Sequence, residues 1–175
     1  MNAGYATINL FNMSTQELFV TCFAYHAWAN QRILDCAARL DPADYYAESA
    51  YSHGSLHNLF FHIARGDYIW RHVIQYGQRP QTPLQEQECP NLAELRTRWQ
   101  EEMRAMQDLL TSWSNAEIDS DVQVIESNGA VYPLNRRRML MHLLLHGMQH
   151  RSEAAALLTS YGQNPGDLDF IFFEE

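Results

Sequence analysis

The reading of the fold turns on Leu143-Leu144-Leu145-His146-Gly147-Met148-Gln149-His150-Arg151-Ser152-Glu153-Ala154. Leu143, Gly147, Ala154, Leu157 and Tyr161 recur at helical spacing and mark one inward face. An α-helix advances about 100° per residue, so a step of four rotates by only about 40°. His146 and His150 therefore stand one turn apart, within or beside that face. Gly147 and Ala154 are small, which lets a partner helix approach and leaves room near the imidazoles. The helix is expected from about Asn135 to Tyr161, with Gly162 as its stop.

Three further helical patterns precede it. Ser14-Thr15-Gln16-Glu17 has capping-box form. Leu18, Cys22, Tyr25, His26, Ala29, Ile33, Cys36, Ala37 and Leu40 then follow at helical spacing until Asp41-Pro42. The second pattern starts near Gly54-Ser55, shows Leu56, Leu59, Ile63, Trp70 and Val73 on its face, and ends at Gly77. The third begins at Asn91 and carries the stripe Leu92, Leu95, Trp99, Met103, Met106, Leu110 and Trp113. Before the last helix, Val122, Val124, Val131 and Leu134 alternate around Asn128-Gly129, a hairpin signal. The expectation is an all-α four-helix bundle with a small β-hairpin before the last helix, one domain over residues 1–175. The apolar tail Leu168 to Phe173 should dock on it. Arg136-Arg137-Arg138 opposes the dipole of the last helix, so compensating acids are expected nearby.

Composition narrows the function. Twelve Lys+Arg against 21 Asp+Glu give a net charge of −9 over 175 residues, which disfavours a nucleic-acid partner. No apolar run is long enough to span a membrane. Met1 to Met13 lacks the basic and apolar regions of a signal peptide. The three cysteines, Cys22, Cys36 and Cys89, form no CxxC and no disulfide framework. These features predict a cytoplasmic protein. A chain of this length buries a core without metal staples, so any metal site is free to serve function.

Eight histidines carry the chemical information. One histidine on a helix face is ordinarily a surface or hydrogen-bonded core residue. A pair at i, i+4 can share a metal, and His62 sits between Leu59, Ile63 and Gly66 on the apolar face of the second helix. Three imidazoles from two helices would leave coordination positions open, which separates a catalytic site from a closed structural one. His26, His53, His57 and His72 read as surface or core polar residues, and His142 as a structural neighbour. No HExxH, no paired Glu-x-x-His, no Walker A loop, no GxGxxG and no GxSxG is present, so no organic cofactor site is expected.

Three stretches together resemble the DinB/YfiT-like superfamily of metalloenzymes, which is unrelated to the polymerase of similar name. Tyr25-His26-Ala27-Trp28-Ala29-Asn30-Gln31-Arg32 is similar to its first-helix segment. Gly54 to Ile63, followed by Asp67 and Trp70, is similar to the second-helix segment with its metal-binding histidine. Leu145-His146-Gly147-Met148-Gln149-His150-Arg151-Ser152-Glu153 is similar to the signature of the last helix, with Leu145, Ser152 and Glu153 departing from the usual Asn, Gly and Gln. The resemblance implies a homodimeric bundle with a divalent metal, zinc or nickel, on His62, His146 and His150. Characterised relatives include transferases and isomerases that use low-molecular-weight thiols, and many members have no assigned reaction.

The leading expectation is a metal-dependent enzyme that activates water or a small thiol for transfer or hydrolysis. Asp67, Tyr68 and Glu153 are candidates for acid–base or supporting roles, and Arg151 for an anionic substrate or an acid on a neighbouring helix. A non-catalytic, stress-related metal- or ligand-binding dimer stays open beside it. So does a metal-free bundle whose histidines are satisfied by protein groups.

Overall fold

A computed structural model describes residues 12–174. Residues 1–11 of the Met1–Met13 stretch read above lie outside it. Six helices and one hairpin follow in order: α1 (Thr15–Ala37), α2 (Pro42–Tyr46), α3 (Leu56–Tyr76), α4 (Leu92–Ser112), α5 (Asn115–Asp119), β1 (Asp121–Ile125), β2 (Val131–Asn135) and α6 (Arg136–Ser160). α1, α3, α4 and α6 are the four long helices expected from the apolar stripes. The short α2 and α5 are additional: single turns capped by Asp41 and Ser114, too brief to show a period.

Local signals set the helix ends. Ser14 and Glu17 complete their reciprocal capping box on α1. Ser55 accepts from Asn58 N at the start of α3, and Asn91 accepts from Ala93 N and Glu94 N at the start of α4. Gly77 ends α3 at φ +73°, a conformation that favours glycine. The face of α1 is rotated from its expected position near its start. Leu18 is 36% exposed, while Phe19 and Phe23 are buried, because the two larger rings remove more apolar area from water. The hairpin pairs Ile125 with Val131 across a loop in which Gly129 N donates to Glu126 O. Gly129 has φ +83°, and among the described residues no non-glycine residue has positive φ. The connection is thus a three-residue turn closed by glycine rather than a two-residue Asn-Gly turn.

α1 packs on α4 and α6, and α3 packs on the same two helices, so α1 and α3 stand diagonally opposite. The core falls into two apolar clusters. One surrounds Leu34, Phe60, Trp99 and Leu157, and the other surrounds Phe19, Ile74, Leu110 and Leu143. Between them, at mid-height, all four long helices contribute buried polar groups: His26 and Asn30, Asp67, Glu102, His150 and Arg151. Burying such groups is costly unless they are hydrogen-bonded. Each makes at least one hydrogen bond, with Asp67 Oδ1 left unpartnered, and that layer positions the site.

The tail docks as expected: Tyr25 OH donates to Leu168 O, and Phe173 packs against Tyr25 and Trp28. Arg137 Nε donates to Asp119 Oδ1 at 2.9 Å, supplying the acid expected near the basic first turn of α6. Among the described residues no helix is long and apolar enough to cross a membrane.

Candidate metal centre

Four imidazoles meet at one edge of the polar layer. His62 comes from α3, His146 and His150 from successive turns of α6, and His53 from the turn that precedes α3. Ring centroids lie 4.9 Å apart for His62 and His146, 4.6 Å for His62 and His150, and 4.6 Å for His146 and His150. The Nε2 atoms of His62 and His146 are 2.9 Å apart. His53 stacks on His62, with centroids 3.8 Å apart and planes inclined by 22°. Donor atoms of His53, His62 and His150 all lie within 4.8 Å of one another.

The three histidines read from spacing are therefore neighbours in space. The mutually close trio, however, contains His53 where the sequence reading has His146. His146 joins through its contact with His62. From the sequence His53 reads as a surface or core polar residue, since a turn carries no helical period. It lies in a turn closed by Gly54 at φ +77°, and only the tertiary path of that turn brings its ring back over α3.

Neighbouring groups tune the rings. His150 Nδ1–H donates to Glu153 Oε2 at 3.0 Å, which fixes the tautomer and leaves Nε2 as the free donor. Glu153 also accepts from Ser52 Oγ at 2.9 Å, tying the His53 turn to α6. Burial acts to raise the Glu153 carboxyl. The hydrogen bonds from His150 and Ser52 outweigh it, so the pKa falls below the ordinary value. Burial, reinforced by the other rings, pushes His62 down to about 4. Burial and the neighbouring His150 push His146 to about 4, with Asp67 opposing. Both rings are neutral at pH 7, the form that binds a cation.

Behind the cluster runs a buried chain of hydrogen bonds. Arg151 Nη1 donates to His26 Nδ1 at 2.8 Å and to Asn30 Oδ1 at 3.1 Å. A guanidinium has no acceptor, so His26 Nδ1 is the acceptor and the ring proton sits on Nε2. That proton is donated to Asp67 Oδ2 at 3.1 Å, and Trp99 Nε1–H donates to the same oxygen at 2.8 Å. Asp67 Oδ1 and His146 Nδ1 are both buried and without a hydrogen-bond partner.

A divalent cation fits this donor set on three counts. Imidazoles from α3, α6 and the turn before α3 converge, with one carboxylate hydrogen-bonded to His150. Two imidazole nitrogens on one tetrahedral zinc stand about 3.3 Å apart, close to the 2.9 Å between His62 and His146. The unpartnered His146 Nδ1 has the place of the second ring nitrogen of a ligand, and the Asp67 carboxylate is near enough to act on the ring electrostatically.

The profile of the DinB family matches residues 13–175, essentially the whole chain. This protein belongs to the DinB family. No curated protein matches it.

The other candidates in this DinB chain separate by position. Asp67 is buried at the bundle centre, and Glu153 lies beside His150. Tyr68 is not brought to the histidines. It lines a groove of about 420 Å³ between α3 and α4, together with Arg71, Arg98, Glu101 and Glu102. Arg151 is turned into the core, 3% exposed, and its partners are His26 and Asn30 rather than a substrate or an acid. His57 contacts Tyr45 OH away from the site, and His142 packs on Trp70. His26, read from the sequence as a surface or core polar residue, is the buried link of this chain, and Gly147 leaves the room its ring occupies.

Proposed function

We propose that this DinB chain is a metal-dependent enzyme. His62, His146 and His150 hold one divalent ion, zinc or nickel, and the reaction is transfer or hydrolysis by activated water or a low-molecular-weight thiol. The observation that carries the reading is the convergence of imidazoles from α3 and α6 with a single carboxylate hydrogen-bonded behind them. Imidazole donors suit both metals.

When bound, such an ion lowers the pKa of a coordinated water or thiol towards neutrality. The residues of the chain do the rest. Glu153 holds the proton of His150 Nδ1 and keeps the ring oriented. Asp67 is fixed by His26 and Trp99 through one oxygen, and its other oxygen is buried without a partner. Arg151, across neutral His26, compensates the charge of Asp67 in a region of low dielectric.

A closed, non-catalytic metal site is the second reading, favoured by the presence of a fourth ring, His53. We also propose that two copies pair along α6. Met141, Leu145 and Met148 are exposed on it, spaced by four and three residues, as in the seam of a helix pair.

Two assays test the function. A panel of thiol-transfer and hydrolysis reactions is expected to show turnover that requires added zinc or nickel and is lost in His150→Ala. Turnover that persists in metal-free protein, or in His150→Ala, would contradict the enzyme reading. A flat panel with stoichiometric metal bound favours the closed site.

A further inference from the structure

We infer that His53, carried on the turn before α3, is a further ligand of the metal centre, and that it occupies a coordination position a substrate would need. The inference rests on the metal reading above and concerns a residue outside both α3 and α6.

Three observations converge on it. Donor atoms of His53, His62 and His150 lie within 4.8 Å of one another, so His53 reaches the same point in space as the helix-borne rings. The His53 ring is stacked face to face on His62, with centroids 3.8 Å apart, which holds it against the cluster. Its centroid is also 5.2 Å from that of His150.

The turn is held by its own hydrogen bonds and by one to α6. Gly54 N donates to Tyr51 O, and Ser49 N donates to Gly54 O. Its link to α6 is the Ser52 Oγ to Glu153 Oε2 hydrogen bond. Glu153 thus serves both sides of the site, orienting His150 and latching the turn that carries His53. His53 thus adds to the rings on the two helices a donor from the turn, in a position that is otherwise open. A closed four-ligand ion is shielded from adventitious ligands, and an open one has room for substrate.

Cobalt(II), a spectroscopic stand-in for zinc, tests this on the full-length, metal-stripped chain. His53→Cys is the decisive variant, because a thiolate that touches cobalt adds a sulfur-to-metal charge-transfer band in the near ultraviolet. The expected result is that band in His53→Cys and its absence in the wild type, whose three native cysteines serve as the control. His53→Ala is expected to keep one cobalt per chain, bind it at least about tenfold more weakly, and show weaker visible bands as water replaces a ring. Loss of affinity alone fits a supporting residue as well as a ligand, so the band decides. Stoichiometric cobalt in every variant without the new band would overturn the role of His53 and leave the three-histidine site standing. No cobalt or zinc bound by the wild type would overturn both.

Discussion

Asp67 Oδ2 receives hydrogen bonds from His26 and Trp99, while Asp67 Oδ1 and the nearby His146 Nδ1 receive none. A buried acceptor left empty costs free energy in the metal-free chain, and an ion on His146 would favour a proton on Nδ1 for that oxygen to accept. Asp67→Asn keeps the shape and removes the charge that Arg151 balances. We expect it to lower stability by about 1–3 kcal/mol in urea unfolding. It should also weaken zinc binding by about 10–100-fold in competition with a chelator. A variant unchanged in both would mean that the chain from Arg151 to Asp67 is only packing. The same scale accounts for His53. A ligand from a turn leaves no period to read, whereas His146 and His150 declare themselves by a spacing of four.

At the scale of the element, α6 contains a glycine that intrinsic propensity disfavours by about 1 kcal/mol relative to alanine. Gly147→Ala would nevertheless destabilise. The new Cβ would sit 2.3 Å from His26 Cε1 and 2.9 Å from Arg151 Nη1, both fixed in the buried layer. We expect a net loss of about 1–3 kcal/mol by thermal unfolding; a gain would show that the layer is loose. In α3, Gly66→Ala meets His146 Cε1 at 3.1 Å, a milder conflict with a half-buried ring. That variant should lose metal affinity more than stability. The long helices were legible because caps and stripes are local: Ser14, Ser55 and Asn91 act within one turn. The polar layer was not legible. His26 and Asp67 meet across the diagonal of the bundle, and no sequence period links α1 to α3.

The whole molecule couples this layer to folding. His62 and His146 are held at about 4 in the folded chain against an ordinary 6.5. Between those values the unfolded chain binds protons that the folded chain does not. Stability is therefore full above about 6.5 and is lost as pH falls through about 4. Urea midpoints of metal-free protein should drop from pH 7 to pH 5, and the drop should shrink in the His62→Gln, His146→Gln double variant. An equal drop in the variant would place the titration elsewhere. The exposed α6 stripe makes a second statement at this scale: wild-type protein should run as a dimer in light scattering, and Leu145→Glu as a monomer. A wild-type monomer would remove the pairing proposal. The most direct test of the central claim is the metal content of native protein purified without a histidine tag. About one equivalent of zinc or nickel per chain, lost in His62→Ala and in His150→Ala, is the predicted result. Folded protein that carries no stoichiometric metal and takes none up on addition would contradict it.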